Sequence, residues 1–395
     1  MFSGIFIIGA KRTPFCGYGG PLRELPASHI FAAAAKEAIS SAKIDPTHID
    51  NTIVGNVNFL SQCDGGKTPR YCGTYSGVPL NRPALGVNKA CGTGLQAIIS
   101  SAVEIITGSS EVTLTGGTEL MSALPLFVRN IRFGANLGSS YYLEDHIKRI
   151  FPDSYTGLTL QDMAEELAKK YKVSREEVDQ FALQSHLKWT AAQNTKIFDR
   201  ELASVTATIK KKEVTVDKDQ LPNTIDAEGL RKLPALLDNG EVVTSGNSSA
   251  PADGAAALIL SGEEAIKTHG LRPLARVVGW ACVGVDPVDT AISAVPAVKK
   301  LLKDQKLSVN DVDLFEINET FASQALITAM ELKLDVVGKV NVNGGALAMG
   351  NPTAATGARM ATHLVHELSR RNLKRGIAAS SCGGGQGIAV LLETI

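Results

Sequence analysis

The sequence has no net charge, because 40 lysines and arginines are balanced by 40 aspartates and glutamates. Such a balance leaves no field that would draw the protein onto nucleic acid or an anionic membrane. Apolar residues make up 44% of the sequence, but they never run unbroken for the ~20 residues that a membrane-spanning helix requires. These absences argue against a nucleic-acid partner and a membrane span, and they favour chemistry on a small molecule.

Paired cysteines are also lacking. The sequence has neither a C-x-x-C motif nor a Cys/His pair, so it predicts no metal site and no disulfide framework, and a reducing compartment fits best. The six scattered cysteines are Cys16, Cys63, Cys72, Cys91, Cys282 and Cys382.

What the sequence does contain is an alternation of short β-branched runs and helical patterns, with many of the 37 glycines directly after the runs. This alternation predicts an α/β fold, and its recurrence near the C-terminus favours two duplicated α/β halves. Strands are predicted at residues 5–8, 51–57, 84–88, 112–115, 312–317, 340–343 and 388–392, and helices at 27–42, 92–107, 322–332 and 356–370.

Residues 121–243 differ from the two halves, because they carry heptad-like helical stretches at 158–170 and 176–194. We predict an inserted loop domain, a lid above the carboxyl edge of the sheet, where ligands bind in open α/β folds. Its lysine cluster at 210–212 is either a solvated loop, which we favour, or a patch for nucleotide phosphates. The predicted division is 1–120 and 244–270 for the first half, 121–243 for the insertion and 271–395 for the second half.

Cys91 is the first candidate for chemistry. It lies in Asn88-Lys89-Ala90-Cys91-Gly92-Thr93-Gly94, after an apolar strand and before a helix rich in Ile and Ala. The positive end of a helix dipole favours a thiolate, and flanking glycines would leave amide groups free to hold an oxyanion. The alternative is a buried structural cysteine.

Four further elements accompany Cys91, and each alone could be a tight turn or a loop cap. They are Gly246-Asn247-Ser248-Ser249, Asn318-Glu319-Thr320-Phe321, the run from Asn343 to Pro352 and the run from Ser380 to Gly387. In this order they resemble the motifs of the thiolases, N-x-x-C-G-T/S-G, G-N-x-S, N-E-x-F, G-G-A-x-A-x-G-x-P and G-G-G-Q-G, and most closely those of the mitochondrial 3-ketoacyl-CoA subgroup. The resemblance runs from about residue 5 to the C-terminus.

The resemblance implies a thiolase fold, a layered αβαβα arrangement, and catalysis through an acyl group carried on Cys91. Coenzyme A and acyl-CoA would be substrates, with no permanently bound cofactor. Asn318 matches the asparagine of N-E-A-F that holds a water, and Ser249 matches a serine that contacts the pantetheine arm, beside Ala250 where glycine is common. Gly383 matches the glycine of the C-x-G element that contains a second, acid/base cysteine.

Two positions depart from the family pattern. Asn351 stands at the histidine of G-H-P, and Ser381 stands at the second cysteine, with Cys382 one place later. A carboxamide cannot accept the thiol proton, and a serine is too weak an acid to shuttle one near neutral pH. Because neighbours on an extended segment face opposite ways, Cys382 replaces Ser381 only if the turn shifts register. We therefore expect weakened thiolysis on an unchanged fold.

Three functions remain as alternatives: a thiolase-type acyltransferase of fatty-acid β-oxidation, a degenerate homologue that binds acyl-CoA or a partner without turnover, and a condensing ketoacyl synthase. The third is disfavoured because that group lacks the N-E-x-F and G-G-G-Q-G elements. The resemblance further implies a homodimer or homotetramer and a mitochondrial location, with peroxisome and cytoplasm still open.

Overall fold

The fold is described from a computed structural model for residues 4–61, 64–150, 152–220 and 226–395, so Cys63 lies outside the described residues. The strands are β1 (Ile5–Arg12), β2 (Cys16–Gly17), β3 (Asn51–Gly55), β4 (Ala84–Val87), β5 (Val112–Leu120), β6 (Leu126–Phe127), β7 (Glu144–Asp145), β8 (Val205–Ile209), β9 (Lys212–Val216), β10 (Ala252–Gly262), β11 (Ala275–Gly284), β12 (Leu314–Ile317), β13 (Arg375–Cys382) and β14 (Gln386–Thr394). The α-helices are α1 (Ala27–Ala42), α2 (Thr68–Tyr75), α3 (Thr93–Ile106), α4 (His146–Ile150), α5 (Leu160–Tyr171), α6 (Arg175–Asn194), α7 (Ala227–Lys232), α8 (Glu263–His269), α9 (Ala294–Asp304), α10 (Ala322–Glu331), α11 (Ala346–Met349) and α12 (Thr353–Arg371).

One large mixed sheet runs in the order β12-β13-β14-β11-β1-β10-β5-β3-β4. Its two parts meet at β1 and β11, which in the described residues pair through Phe6 with Arg276 and Ile7 with Ala275. Read from its outer edge inward, the first part has the order β4-β3-β5-β10-β1, which by position along the chain is third, second, fourth, fifth and first. The second part repeats this order, with a single bridge from Val340 to Phe315 in place of a full edge strand, followed by β12-β13-β14-β11. The predicted mixed α/β architecture is confirmed.

Helices α3 and α12 form the middle layer. Each contacts strands of both parts of the sheet, and α1 covers the outer face of the first part while α9 covers that of the second. The two middle helices approach each other closely at Gly94 and Gly357: a Cβ on Gly94 would lie 2.4 Å from the amide nitrogen of Ala358, and a Cβ on Gly357 would lie 2.7 Å from that of Leu95. Only glycine fits such a backbone-to-backbone contact.

The segment 121–243, which the sequence predicts as an insertion, begins with short irregular pieces and then forms α5 and α6. Both helices start with a capping box, at Thr159 and Ser174, which satisfies free N–H groups of the first turn. Met163 and Phe181 join the hydrophobic core of the second half. The cluster at 210–212 lies at the turn between β8 and β9.

Two sequence predictions near the C-terminus are wrong. Residues 340–343 do not form a strand, because Asn341 adopts a left-handed φ of 42° and its side chain, not its backbone, bonds the N–H and C=O of Ile317 at 2.8 and 2.9 Å. The segment from Ser380, predicted as a turn, instead completes β13, which pairs with β14 up to Cys382. Within the described residues, none of the helices is both long and apolar enough to cross a bilayer.

Candidate active site

Cys91 lies at a sharp turn between β4 and α3. The turn is fixed by side chains: Asn88 Oδ1 accepts the N–H of Ala90 at 3.0 Å, and Thr93 Oγ1 accepts the N–H of Lys89 at 2.7 Å. Ala90 adopts a left-handed φ of 44°, which is uncommon for a residue with a side chain and is characteristic of functional turns. Cys91 is 8% exposed, so its environment is largely protein.

A cavity of about 760 Å³ opens above this thiol. Cys91, Ser249, Asn351 and Gly383 all line it, so the structure brings these predicted residues together. The insertion contributes lining residues too, including His146, Leu160 and Met163. The volume suits a sizeable organic ligand.

The pKa of the Cys91 thiol is raised, mainly because burial disfavours the thiolate. The N–H groups of Cys91 and Gly383 and the hydroxyl of Thr320 act in the opposite direction, and the charge of Glu119 adds to the increase. Desolvation opposes the thiolate that the position at the helix N-terminus is predicted to favour, and it outweighs the hydrogen bonds. Burial thus favours the neutral thiol, and the donors around the sulfur stabilise it once it is charged.

Asn351 is held by side chains around the cavity. Its Oδ1 accepts the hydroxyl of Thr356 at 2.7 Å, and its Nδ2 donates to Ser249 Oγ at 3.3 Å. Ser249 Oγ in turn donates to the carbonyl of Thr320 at 3.1 Å. Asn351 thus presents a fixed amide donor to the cavity and offers no base.

Ser381 and Cys382 face opposite sides of β13. Ser381 lines a recess of about 20 Å³ together with Cys91 and Gly383, and its Oγ donates to Ala291 O and accepts from Ala294 N, both at 3.1 Å. Cys382 is fully buried in the core against α3, where a Cβ on Gly92 would lie 2.5 Å from its sulfur. Burial raises the pKa of Cys382 far above its usual range. The register does not shift, so the structure does not bring Cys382 to the position of Ser381.

Asn318 lies behind the cavity wall and is 1% exposed. Its Nδ2 donates to Thr320 Oγ1 at 3.4 Å and to Ser380 Oγ at 3.3 Å. Its Oδ1 has no hydrogen-bond partner within the described part of the chain. Asn318 therefore reaches Cys91 through two hydroxyl groups.

Sequence reasoning gave no role to three residues of this site. Thr320 lines both cavities with Cys91, and its only signal was that it departs from the alanine of N-E-A-F. Glu119 is fully buried and accepts the N–H groups of Asn58 and Ala354 at 3.0 and 3.1 Å, and burial raises its pKa to about 7. His146 lines the cavity, but nothing in its local sequence indicated this. Its pKa is lowered mainly by burial and then by the charge of Arg129.

No cluster of His, Cys, Asp or Glu side chains in the described ranges is arranged to hold a metal ion. The polar groups around Cys91 are instead amides and hydroxyls, which suit a carbonyl or thioester ligand.

Comparison with known proteins fits this geometry. The 3-ketoacyl-CoA thiolase of Homo sapiens mitochondria is 44% identical over 396 residues, covering 100% of this chain and 99% of the relative. A probable acetyl-CoA acyltransferase of Staphylococcus epidermidis is 37% identical, covering 99% of both chains. The crystal structure of the human mitochondrial enzyme superposes with a TM-score of 0.97 at 43% identity over 100% of both chains, and its complex with CoA gives 0.96 at 43% identity over 100% of this chain and 98% of that one.

Two family domains match almost the whole chain. Residues 5–264 match the thiolase N-terminal domain, and residues 271–394 match the thiolase C-terminal domain. The resemblance found in the sequence is thereby confirmed, and the chain belongs to the thiolase family.

Proposed function

We propose that this protein is a thiolase-type acyl-CoA acyltransferase that cleaves a 3-ketoacyl-CoA in fatty-acid β-oxidation, or runs the reverse condensation. The observation that carries the proposal is the Cys91 sulfur at the wall of the cavity, with the N–H groups of Cys91 and Gly383 directed at it. Amide donors placed around a reacting carbonyl stabilise the oxyanion that forms during attack.

In the proposed reaction, the Cys91 sulfur bonds to the keto carbon of the substrate. The bond then breaks between that carbon and the methylene that links it to the thioester carbonyl. The thiol proton ends on this methylene, which becomes the methyl group of the departing acetyl-CoA. The shortened acyl group stays on Cys91 as a thioester. A second coenzyme A then takes the acyl group, and its thiol proton returns to Cys91. Coenzyme A and acyl-CoA are thus substrates.

Ser249 and Ala250 are the proposed contact for the pantetheine arm. Both line the cavity, and the human structure solved with CoA supports coenzyme A as the ligand class. Asn351 supplies a second amide to the thioester oxygen, because its Nδ2 faces the same cavity as Cys91.

The second candidate function, acyl-CoA binding with little turnover, is favoured by Asn351 and Ser381. Neither side chain can move a proton near neutral pH. Both are tied to neighbours that hold them as hydrogen-bonding groups.

The test gives the purified protein acetoacetyl-CoA or a longer 3-ketoacyl-CoA with free coenzyme A, beside a Cys91→Ala variant. We expect thiolysis by the wild type and an acylated Cys91 peptide by mass spectrometry, with neither in the variant. Acylation without turnover would select the binding function, and equal behaviour of wild type and variant would remove acyl transfer altogether.

We further propose a homodimer or homotetramer in mitochondria. The location follows from relatives of Homo sapiens and Bos taurus that are named mitochondrial. Cell fractionation that finds the protein outside mitochondria would overturn this part.

A further inference from the structure

Thr320 lies at both cavities of the candidate site. It follows β12 and directly precedes Phe321, the N-cap of α10, and it lines both cavities that Cys91 lines. Its carbonyl accepts the N–H of Ser249 at 3.0 Å and the hydroxyl of Ser249 at 3.1 Å. These two hydrogen bonds hold the backbone of Thr320 against Ser249.

The hydrogen bonds set the direction of the Thr320 hydroxyl. Asn318 Nδ2 has only hydrogens to give, so Thr320 Oγ1 is the acceptor in their 3.4 Å contact. The hydroxyl hydrogen of Thr320 is then free for another acceptor. Cys91 lines the same recess of about 20 Å³, so its sulfur is one acceptor within that recess.

A second hydroxyl completes the arrangement. Asn318 Nδ2 also donates to Ser380 Oγ at 3.3 Å. The single hydrogen of the Ser380 hydroxyl lies between two carbonyl oxygens, that of Ser381 at 3.1 Å and that of Cys91 at 3.3 Å. One buried amide thus donates to two hydroxyl groups beside Cys91.

We propose that Thr320 is a further catalytic residue, whose hydroxyl donates to the Cys91 sulfur and stabilises the thiolate at a site where Asn351 stands at the position of the family's histidine. A hydroxyl cannot remove the thiol proton at neutral pH, but a donor aimed at the sulfur favours its charged form. In support, the Thr320 hydroxyl lowers the pKa of Cys91 against the larger effect of burial. The catalytic part of this inference rests on the proposed acyl transfer, whereas the hydrogen bond does not.

The test measures iodoacetamide alkylation of Cys91 by peptide mass spectrometry from neutral to alkaline pH. Thr320→Val removes the hydroxyl at equal size, and Thr320→Ser keeps it. We expect Thr320→Val to move the alkylation midpoint of Cys91 upward by about one pH unit, the effect of losing one hydrogen bond to a charged group. Thr320→Ser should match the wild type.

Controls separate this effect from unfolding. Cys282 is exposed and lies on β11, so its alkylation profile should be the same in all three proteins. An unchanged Cys91 midpoint in Thr320→Val, or an equal rise in Thr320→Ser, overturns the role of Thr320. Failure of the wild type to form an acyl-Cys91 would instead remove the proposed function, while the difference in midpoint between the two variants would remain.

Discussion

At the residue scale, the two departures from the family motifs are structurally well accommodated. The amide of Asn351 bonds Thr356 and Ser249, and the hydroxyl of Ser381 bonds the backbone of Ala291 and Ala294. Each side chain satisfies its buried polar atoms. The two replacements therefore leave the local fold intact.

Restoring that chemistry gives the first prediction. The double variant Asn351→His with Ser381→Cys should raise kcat/KM for thiolysis by roughly 100- to 10,000-fold, the usual contribution of acid/base catalysis. Steady-state assays with acetoacetyl-CoA and coenzyme A would measure it. Asn351→Gln with Ser381→Cys is the matched control, since it lacks the new base; if the histidine variant does no better than this control, Asn351 does not occupy the position of the base.

The sequence located Cys91 because strand, turn and helix are contiguous around it. It could not locate Thr320, whose role depends on Asn318 and Cys91 meeting in space and on the direction of a hydroxyl. The burial that raises the pKa of the Cys91 thiol is not visible in a sequence either, whereas the position of Cys91 before a helix is.

At the scale of elements, a buried ion network joins the first half, the insertion and the second half. Arg12 on β1 pairs with Glu201 and Asp219 of the insertion, each at 2.6 Å, and Glu201 pairs with His363 on α12 at 2.8 Å. These side chains are almost fully buried. Removing one partner from such a network leaves a charge without compensation.

Glu201→Gln should therefore lower the free energy of unfolding by about 3 to 5 kcal/mol. Urea titration monitored by circular dichroism would measure it. Glu228→Gln breaks the exposed pair with Lys232 and should cost less than about 1 kcal/mol. Equal losses in the two variants would show that the buried network adds no more than a surface pair.

The network also gives a pH dependence. The partners of Glu201 hold its pKa below its ordinary 4.5 despite burial. Its contribution to the free energy of unfolding is therefore complete above pH 4.5 and is lost as the pH falls through the folded value. Glu201 holds the pKa of His363 above its ordinary 6.5 despite burial, so that contribution is complete below 6.5 and is lost as the pH rises through the folded value. The stability difference between wild type and Glu201→Gln should thus be largest at mildly acidic pH.

Helices were the more predictable elements, because α1, α3 and α12 carry long apolar patterns. The strand predicted at residues 340–343 failed because backbone pairing stops at the bridge between Val340 and Phe315, after which Asn341 bonds Ile317 through its side chain. Strand β13 was missed because glycines 383–385 gave the whole segment the pattern of a turn.

At the scale of the whole molecule, the two ends of the sheet differ. Strand β12 is buried along its length, whereas β4 at the other end is partly exposed, with Leu85 43% exposed. An exposed edge strand is a natural place for pairing with a second copy. The duplicated strand order behind this asymmetry was only loosely visible in the sequence, because residue identity between the halves is weak.

Leu85→Lys should therefore shift the protein from an oligomer toward the mass of one chain in light-scattering measurements, because charge opposes edge pairing. Leu187→Lys, at an exposed position on α6, is the control and should leave the mass unchanged. A wild-type protein with the mass of a single chain would contradict the proposed assembly.

The glycine contact between α3 and α12 has a consequence for rate. Cys91 stands two residues before the start of α3, and Asn351 stands two residues before the start of α12. The distance between the thiol and the amide therefore depends on a contact at which the two helix backbones touch directly. The two helices cannot move closer together at this contact. A larger residue in place of either glycine would separate them, and the Cys91 thiol and the Asn351 amide would move apart although every residue of the site is unchanged.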